Sequence, residues 1–247
     1  MKNLPKAIIL STLGLISMAS CGSNNQEGNK ETTDTTTSSS TGKKEENRIT
    51  IKKKTGYIDG INNTLDLAGF YEFKGETSID DLVFSHYGEG SENYVEIDGH
   101  TVKSLGYGKA NIYGEVREDR FINSSTANLY INVINKNDIV SSYTSSYEGI
   151  SLSMNIKSDS TFALTRSGGE VQENNISAAT ITGSYSLEDD GFFHFSPDEG
   201  SSSYATNFKG ELNYSKIDGS EYTLSALVPI SASETDSPLL VSFKVAK

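Results

Sequence analysis

Hydrophobic and polar residues alternate in many short segments of the chain from residue 49 onward. In ISLSMNI, at 150–156, apolar side chains occupy every second position, with Ser or Asn between them. The same period of two recurs in three later segments: ATITGSYSL (179–187), NFKGELNYS (207–215) and LLVSFKV (239–245). This alternation predicts strands of antiparallel sheets that bury one face and expose the other.

The regular spacing of these strands predicts an all-β fold with a C-terminal antiparallel β-barrel of about eight strands, spanning 108–247. Asp-Gly pairs at 190–191 and 218–219, and the Gly-Gly pair at 168–169, are typical of the hairpin turns that such a barrel needs. The strands of 49–107 are shorter and less regular. They predict a smaller N-terminal β subdomain packed on the barrel.

Two local patterns refine this picture. TSIDDLVF, at 77–84, predicts one short capped helix. The tripeptide IDG occurs at 58–60, 97–99 and 217–219. Because this spacing is irregular, we interpret the three copies as turns between strands and not as an internal repeat.

The chain begins with the three-part layout of a secretory signal peptide. Lys2 and Lys6 form a basic head, residues 7–18 form an apolar run, and Ala19 and Ser20 are small. The apolar run is shorter than the ~20 residues of a membrane-spanning helix. Residues 1–20 therefore predict a cleaved leader, with an uncleaved anchor or a buried helix as the alternative.

The single cysteine of the chain, Cys21, follows this leader directly. The segment MASC, at 18–21, resembles the lipobox of bacterial lipoproteins. The resemblance implies that the Cys21 thiol receives a diacylglyceryl group and that the new amino terminus is acylated with a fatty acid such as palmitate. Gly22, where an Asp would retain the protein at the inner membrane, implies a lipid-anchored protein of the outer membrane, displayed at the cell surface. Two or more acyl chains anchor a protein stably without a transmembrane helix.

A polar tether follows the cysteine. Residues 22–48 contain no apolar side chain, so this stretch cannot offset the entropy cost of ordering it. We therefore predict that 21–48 is a disordered tether. As a flexible coil it would span about 30 Å r.m.s., enough to lift a folded body clear of the lipid headgroups.

Charge and cysteine count exclude several classes of protein. The formal net charge of the chain is −12, and it becomes more negative when Lys2 and Lys6 leave with the leader. Such an acidic surface repels phosphate backbones, so nucleic-acid binding is not expected. One cysteine permits neither an intramolecular disulfide nor a cysteine-based zinc or iron–sulfur site.

The sequence carries no catalytic signature, and we predict that the protein is not an enzyme and has no cofactor or metal. His86, His100 and His194 show no metal-ligand spacing. His194, in GFFHFS, is a possible haem ligand, but a strand residue at the edge of the core is the simpler interpretation. Three pairs of adjacent acids do not fit a calcium loop and predict solvated turns: Asp80-Asp81, Asp189-Asp190 and Asp198-Glu199.

Three tyrosines lie in Ser-rich segments: Tyr143 and Tyr147 in SSYTSSYEG, and Tyr204 in GSSSYAT. Tyr combined with Ser and Gly is the composition of adaptable protein-binding loops. These tyrosines are candidate contacts to a partner, and ordinary loop residues are the alternative interpretation.

The segment YVEIDGHTVKSLGYGKANIYGEV, at 94–116, resembles surface lipoproteins of the transferrin-binding protein B and factor H-binding protein type. The matching residues are EIDG at 96–99 and Tyr113-Gly114. Downstream, three segments resemble later strands of that family: ANLYINVINKND (127–138), ISAATITGSYSL (176–187) with Gly183, and FKGELNY (208–214) with Gly210. The resemblance implies an eight-stranded barrel with an attached β handle and the capture of host proteins such as transferrin, haemoglobin or complement regulators. It carries over no ligand-binding residue, because those residues vary with the ligand.

Three functional hypotheses follow. The first is a lipid-anchored surface lipoprotein that binds a host macromolecule, and the anchor, the tether and the acidic β-rich body favour it. The second is a lipocalin-like carrier, because an eight-stranded barrel can hold one small apolar ligand. The third, an envelope enzyme or assembly factor, would need a convergent cluster of His, Asp and Ser in a pocket.

Overall fold

The computed structural model describes residues 47–117, 123–124, 127–147, 149–168, 178–201, 206–229 and 238–246. Within these ranges the chain is all-β, as the alternation predicts. The strands of the N-terminal part are β1 (Arg48–Ile51), β2 (Thr55–Asp59), β3 (Thr64–Asp66), β4 (Tyr71–Lys74), β5 (Leu82–His86), β6 (Val95–Asp98), β7 (Thr101–Ser104), β8 (Gly108–Val116), β9 (Asn123–Ser124) and β10 (Ala127–Ile134). The strands that follow are β11 (Ser142–Tyr147), β12 (Ile150–Ile156), β13 (Thr161–Gly168), β14 (Ala178–Leu187), β15 (Phe193–Pro197), β16 (Phe208–Tyr214), β17 (Tyr222–Val228) and β18 (Leu239–Val245). Short 3-10 turns lie at Leu67–Phe70, Ile79–Asp81, Ser91–Asn93 and Lys136–Ile139.

Strands β11 to β18 form a closed antiparallel barrel of eight strands. Each strand pairs with the next one along the chain, and β18 pairs back onto β11 through Tyr143 opposite Val245 and Thr144 opposite Lys244. The predicted barrel is thereby confirmed. Closure matters physically because it leaves no unpaired strand edge within the barrel.

Aromatic and aliphatic side chains fill the interior of this barrel. The Phe195 ring stacks on Phe208 with centroids 4.7 Å apart, and Phe162 meets both rings edge-on, at 5.2 and 5.6 Å. Buried residues at the alternating inward positions complete the core: Leu152, Met154, Ile156, Leu164, Ile181, Phe193, Leu212, Leu224, Val228, Val241 and Phe243. The interior is a packed core, and its burial supplies the main driving force for folding this part of the chain.

The described residues of the N-terminal part form three sheets, ordered β4-β1-β9, β2-β10-β8-β5 and β3-β7-β6. A second core, which includes Leu67, Phe70 and Val102, lies beneath them. Strands β8 and β10 belong to the second of these sheets, although the sequence prediction placed 108–141 in the barrel. The reason for this difference is that alternation identifies a strand with one buried face but does not show which sheet it joins.

A polar cluster joins the N-terminal sheets to the barrel at the 3-10 turn Lys136–Ile139. The Tyr214 hydroxyl accepts a hydrogen bond from the Asn135 amide at 3.0 Å and donates one to Oδ2 of Asp138 at 2.9 Å. The Tyr143 hydroxyl donates to the Asp138 carbonyl at 2.6 Å. Burial raises the pKa of the Asp138 carboxyl, and the Tyr214 bond only partly counters that effect. We call Asn135, Asp138, Tyr143 and Tyr214 the connector cluster.

The local predictions have mixed outcomes. Residues 77–84 form the 3-10 turn Ile79–Asp81 followed by β5, where a short helix was expected; the predicted cap is present, since the Ser78 amide donates to Oδ2 of Asp81 at 2.8 Å. Each IDG segment ends in a glycine with positive φ, at Gly60, Gly99 and Gly219. Only the third copy lies wholly between strands, as predicted, because the Ile and Asp of the first two copies are the last residues of β2 and β6. The leader, Cys21 and residues 22–46 of the tether lie outside the described residues. None of the helical segments in the described ranges has the length and hydropathy of a membrane span.

Candidate functional site

An exposed, tyrosine-rich patch covers part of one face of the sheet β2-β10-β8-β5. Tyr87, Tyr130 and Val83 are each about half exposed, at 52%, 51% and 49%. The rings of Tyr87 and Tyr113 lie 6.1 Å apart. We call these four residues the tyrosine face. Large amphipathic side chains held on a rigid sheet are typical anchors of protein interfaces, because they contribute contact area at a low cost in conformational entropy.

Strand register explains how residues far apart in sequence come to share this face. Tyr130 lies opposite Asn111 on β8 and Thr55 on β2, while Asn128 lies opposite Tyr113. Because paired residues project to the same side of a sheet, the outward positions of three strands form one surface. The opposite side chains, such as Ile112 and Leu129, point into the N-terminal core.

Two amide oxygens on this same face have no hydrogen-bond partner among the described residues. Oδ1 of Asn111 and Oδ1 of Asn132 are buried, and neither accepts a hydrogen bond from any residue in the described part of the chain. A buried acceptor without a donor is costly, so native structures rarely leave one unsatisfied. Both residues are partly exposed, so a partner's donor would satisfy either oxygen once that amide group turns toward the surface.

A groove of about 210 Å³ lies where this face meets the barrel, and we call it the junction groove. Its lining comes from β2, β8, β10, the turn between β14 and β15, and β16: Thr55, Gly56, Lys109, Tyr130, Ile131, Asn132, Asp190, Gly191, Phe192 and Glu211. Gly191, with φ of +82°, brings the turn close to the β2 backbone; a Cβ there would lie 3.2 Å from the Gly56 carbonyl oxygen. Glycine at this position permits both the backbone conformation and the close approach.

Ion pairs border the groove. Lys109 Nζ lies 2.8 Å from Oε1 of Glu211, which ties β8 to the barrel strand β16. Asp190 Oδ2 accepts from Lys209 Nζ at 2.8 Å and lies 3.2 Å from Nε2 of His194. Burial alone would raise the pKa of Asp190, but the hydrogen bonds from Lys209, the Phe192 amide and His194 outweigh it and leave the pKa below its ordinary value. Asp190 is therefore ionised at neutral pH.

The lysine beside Asp190 also contacts an aromatic ring. The Nζ of Lys209 lies 5.7 Å from the centroid of the Phe192 ring, within the range of a cation–π contact. Asp190 and Phe192 thus both contact the Lys209 ammonium group at the border of the groove.

The three histidines lie apart from one another. His86 Nε2 is 3.0 Å from the Val95 carbonyl, and His100 Nδ1 is 3.0 Å from Oδ1 of Asp66. His194 is an outward residue of β15 between the buried Phe193 and Phe195, which confirms the strand interpretation. In the described ranges, no three His, Cys, Asp or Glu side chains converge as metal ligands would.

Two predictions about candidate residues need correction. Asp81 is only 3% exposed, so it is a buried capping carboxylate and not part of a solvated turn. Tyr143 belongs to strand β11 and is fully buried in the barrel core, so it is not a binding-loop residue. Serine-rich composition suggested a loop, but the segment is a strand. Ser142 and Ser146 are its outward residues, whereas Ser145, paired with Leu152, lies on the same side as Tyr143. Tyr147 is also in β11, and Tyr204 lies outside the described residues.

The sequence did not identify the tyrosine face or the junction groove. Tyr113 and Tyr130 do alternate with buried residues, and that was the available signal. No spacing rule, however, connects Tyr130 to Asp190.

Comparisons with protein-family models and with curated proteins find nothing that matches the chain. The resemblance to the transferrin-binding and factor H-binding lipoproteins stays a prediction. Its matching residues lie at β6 and the turn after it (EIDG at 96–99) and on β8 (Tyr113-Gly114).

Proposed function

We propose that this chain is a lipid-anchored bacterial surface lipoprotein that binds a host protein through the tyrosine face. The lipobox-like MASC and Cys21 support the anchor, and the polar residues 22–48 support display away from the membrane. The first strand of the described residues, β1, begins at Arg48, the last residue of the predicted tether.

The exposed tyrosine face is the observation that carries the binding function. The half-exposed Tyr130 lies on a sheet that is backed by a core, and the half-exposed Tyr87 directly follows its strand β5. Both lie beside buried acceptors that receive no donor from the described residues. Aromatic residues with polar neighbours are enriched where proteins meet proteins. Binding is assigned to the outside of the molecule because rings such as Phe162, Phe195 and Phe208 occupy the space that a small apolar ligand would take inside the barrel.

The anchor is tested by the Cys21→Ala variant expressed in a bacterium with lipoprotein processing. We expect the wild-type chain to partition into detergent and to show acyl masses on its N-terminal peptide. The variant should partition into the aqueous phase. An unmodified wild-type chain, or a variant held equally firmly in the envelope, would show that the anchor is wrong.

Binding is tested by capture from host serum with the full chain displayed on cells. Tyr87→Ser and Tyr130→Ser are the test variants, and Leu240→Ser is the matched control, since Leu240 is 54% exposed on the outer wall of the barrel. We expect a defined serum protein to bind the wild type and the control, and to bind the tyrosine variants at least about tenfold more weakly, the scale of a hot-spot residue. Equal capture by all four chains would refute the role of the tyrosine face.

A further inference from the structure

We infer that the junction groove binds a guanidinium group, the head of an arginine side chain on a basic segment of the protein partner. The partner itself rests on the proposed function. The chemistry of the groove rests on the contacts described above and is testable without the partner.

The groove border already holds a cation. Lys209 Nζ lies 2.8 Å from the Asp190 carboxylate and 5.7 Å from the centre of the Phe192 ring. A carboxylate paired with an aromatic face is the combination that attracts a weakly hydrated cation. Tyr130, a half-exposed residue of β10, adds a second aromatic ring to the lining of the groove.

The groove also offers acceptors suited to a group with several donors. Oδ1 of Asn132 is buried without a donor from the described residues, and the carboxylates of Asp190 and Glu211 line the same space. A guanidinium presents five N–H donors in a fixed planar fork and carries no acceptor. It can therefore bond a carboxylate and, once the Asn132 amide turns toward the groove, the amide oxygen as well, whereas the side chain of Tyr or Trp offers a single donor.

The lysines at the groove do not block an incoming arginine. The side chains of Lys109 and Lys209 are 49% and 54% exposed, so each can return to water when its carboxylate is taken. Exposed lysine pairs contribute little to stability. An arginine that forms two parallel hydrogen bonds to a carboxylate makes a stronger and more directional contact than an ammonium does.

Size and charge favour a protein side chain as the occupant. A volume of about 210 Å³ is below the roughly 300–1,000 Å³ of typical small-molecule sites. The chain as a whole has a net charge of −12, which attracts a basic segment and speeds its encounter with the groove.

The test is isothermal titration of the full chain with capped single residues. The probes are N-acetyl-arginine-methylamide, its uncharged analogue built on citrulline, the corresponding glutamate compound, and free arginine. The variants are Asp190→Asn and Tyr130→Ser, with Leu240→Ser as the control. Thermal unfolding of each variant verifies that it is folded.

We expect the capped arginine probe to bind saturably, with a Kd in the millimolar range, at least about tenfold more tightly than the citrulline probe. Asp190→Asn should weaken binding of the capped arginine probe at least fivefold, and Leu240→Ser should leave it unchanged.

Equal binding of the arginine and citrulline probes, preference for the glutamate probe, or no saturable binding would overturn the inference. Tighter binding of free arginine than of the capped probe would also overturn it, by assigning the groove to a free amino acid. Serum capture that depends on Tyr87 but persists in Asp190→Asn would leave the proposed function intact while the inference fails.

Discussion

Removing one oxygen atom from the connector cluster, in the variant Tyr214→Phe, should destabilise the protein more at neutral than at acidic pH. The Tyr214 hydroxyl accepts from the Asn135 amide at 3.0 Å and donates to the Asp138 carboxylate at 2.9 Å. The phenyl ring keeps the packing, including the stack on Tyr107 with centroids 5.1 Å apart. The substitution therefore removes the hydrogen bonds and little else.

The magnitude follows from those two bonds. A neutral hydrogen bond contributes roughly 1 kcal/mol to stability and a bond to a charged group roughly 1.5–3 kcal/mol. We therefore expect Tyr214→Phe to lower the free energy of unfolding by about 2–4 kcal/mol at pH 7. When Asp138 is protonated, both bonds are neutral, and the expected loss falls to roughly 1–2 kcal/mol.

The sign of the pH dependence comes from Asp138. Burial raises its pKa above the unfolded value, whereas the Tyr214 hydrogen bond lowers it. A carboxyl with a raised pKa in the folded state binds more protons there, so the folded state gains stability as pH falls through that pKa. Without the Tyr214 donor the pKa of Asp138 rises further. The free energy of unfolding of the variant therefore increases more on acidification than that of the wild type.

The assay is urea unfolding of the full chain, followed by far-ultraviolet circular dichroism from pH 8 down toward pH 4. The matched control is Tyr222→Phe, because the Tyr222 ring lies 5.5 Å from that of Tyr214 and its hydroxyl makes no hydrogen bond within the described residues. If Tyr214→Phe costs no more than Tyr222→Phe, or if its cost stays constant with pH, the assigned role of the cluster is refuted.

Two further predictions concern the core and its backbone. Gly183→Ala should lower the free energy of unfolding by about 1–3 kcal/mol, since the new Cβ would press on the Ser196 backbone. The control is Gly69→Ala, where no atom lies within 4 Å of the added Cβ. It should be neutral or stabilise the protein by up to about 1 kcal/mol. Equal effects in urea unfolding would contradict this. Phe195→Ala should cost about 3–5 kcal/mol because it empties the centre of the aromatic core, whereas the exposed Leu240→Ala should change stability by less than about 0.5 kcal/mol. A Phe195→Ala loss under 1 kcal/mol would show that the barrel interior is not closely packed.

The sequence predicted the parts of this fold that depend on local alternation. The strand at 150–156 was predicted with its correct bounds, and Leu152, Met154 and Ile156 are buried, because inside and outside positions alternate residue by residue. The same signal could not place β8 and β10, since the choice between sheets is decided by pairing partners far away in sequence. Composition misled at Tyr143, where a serine-rich strand was interpreted as a loop.

The candidate site was less predictable than the fold. Tyr130 and Asp190 approach the same groove only because the turn between β14 and β15 packs against β2. That contact depends on the tertiary packing of two sheets, for which a single sequence carries no periodic signal. The connector cluster was hidden for the same reason, because Asp138 and Tyr214 are neighbours only through the barrel.

The Gly191 turn also protects an outer strand. Strand β2 is the end strand of its sheet, and the turn lies against its backbone at Gly56. A fragment ending before the barrel would leave this strand uncovered, ready to recruit β-strands from other copies. The barrel therefore covers a strand edge of the N-terminal sheets. We expect the N-terminal part, expressed without the barrel, to aggregate.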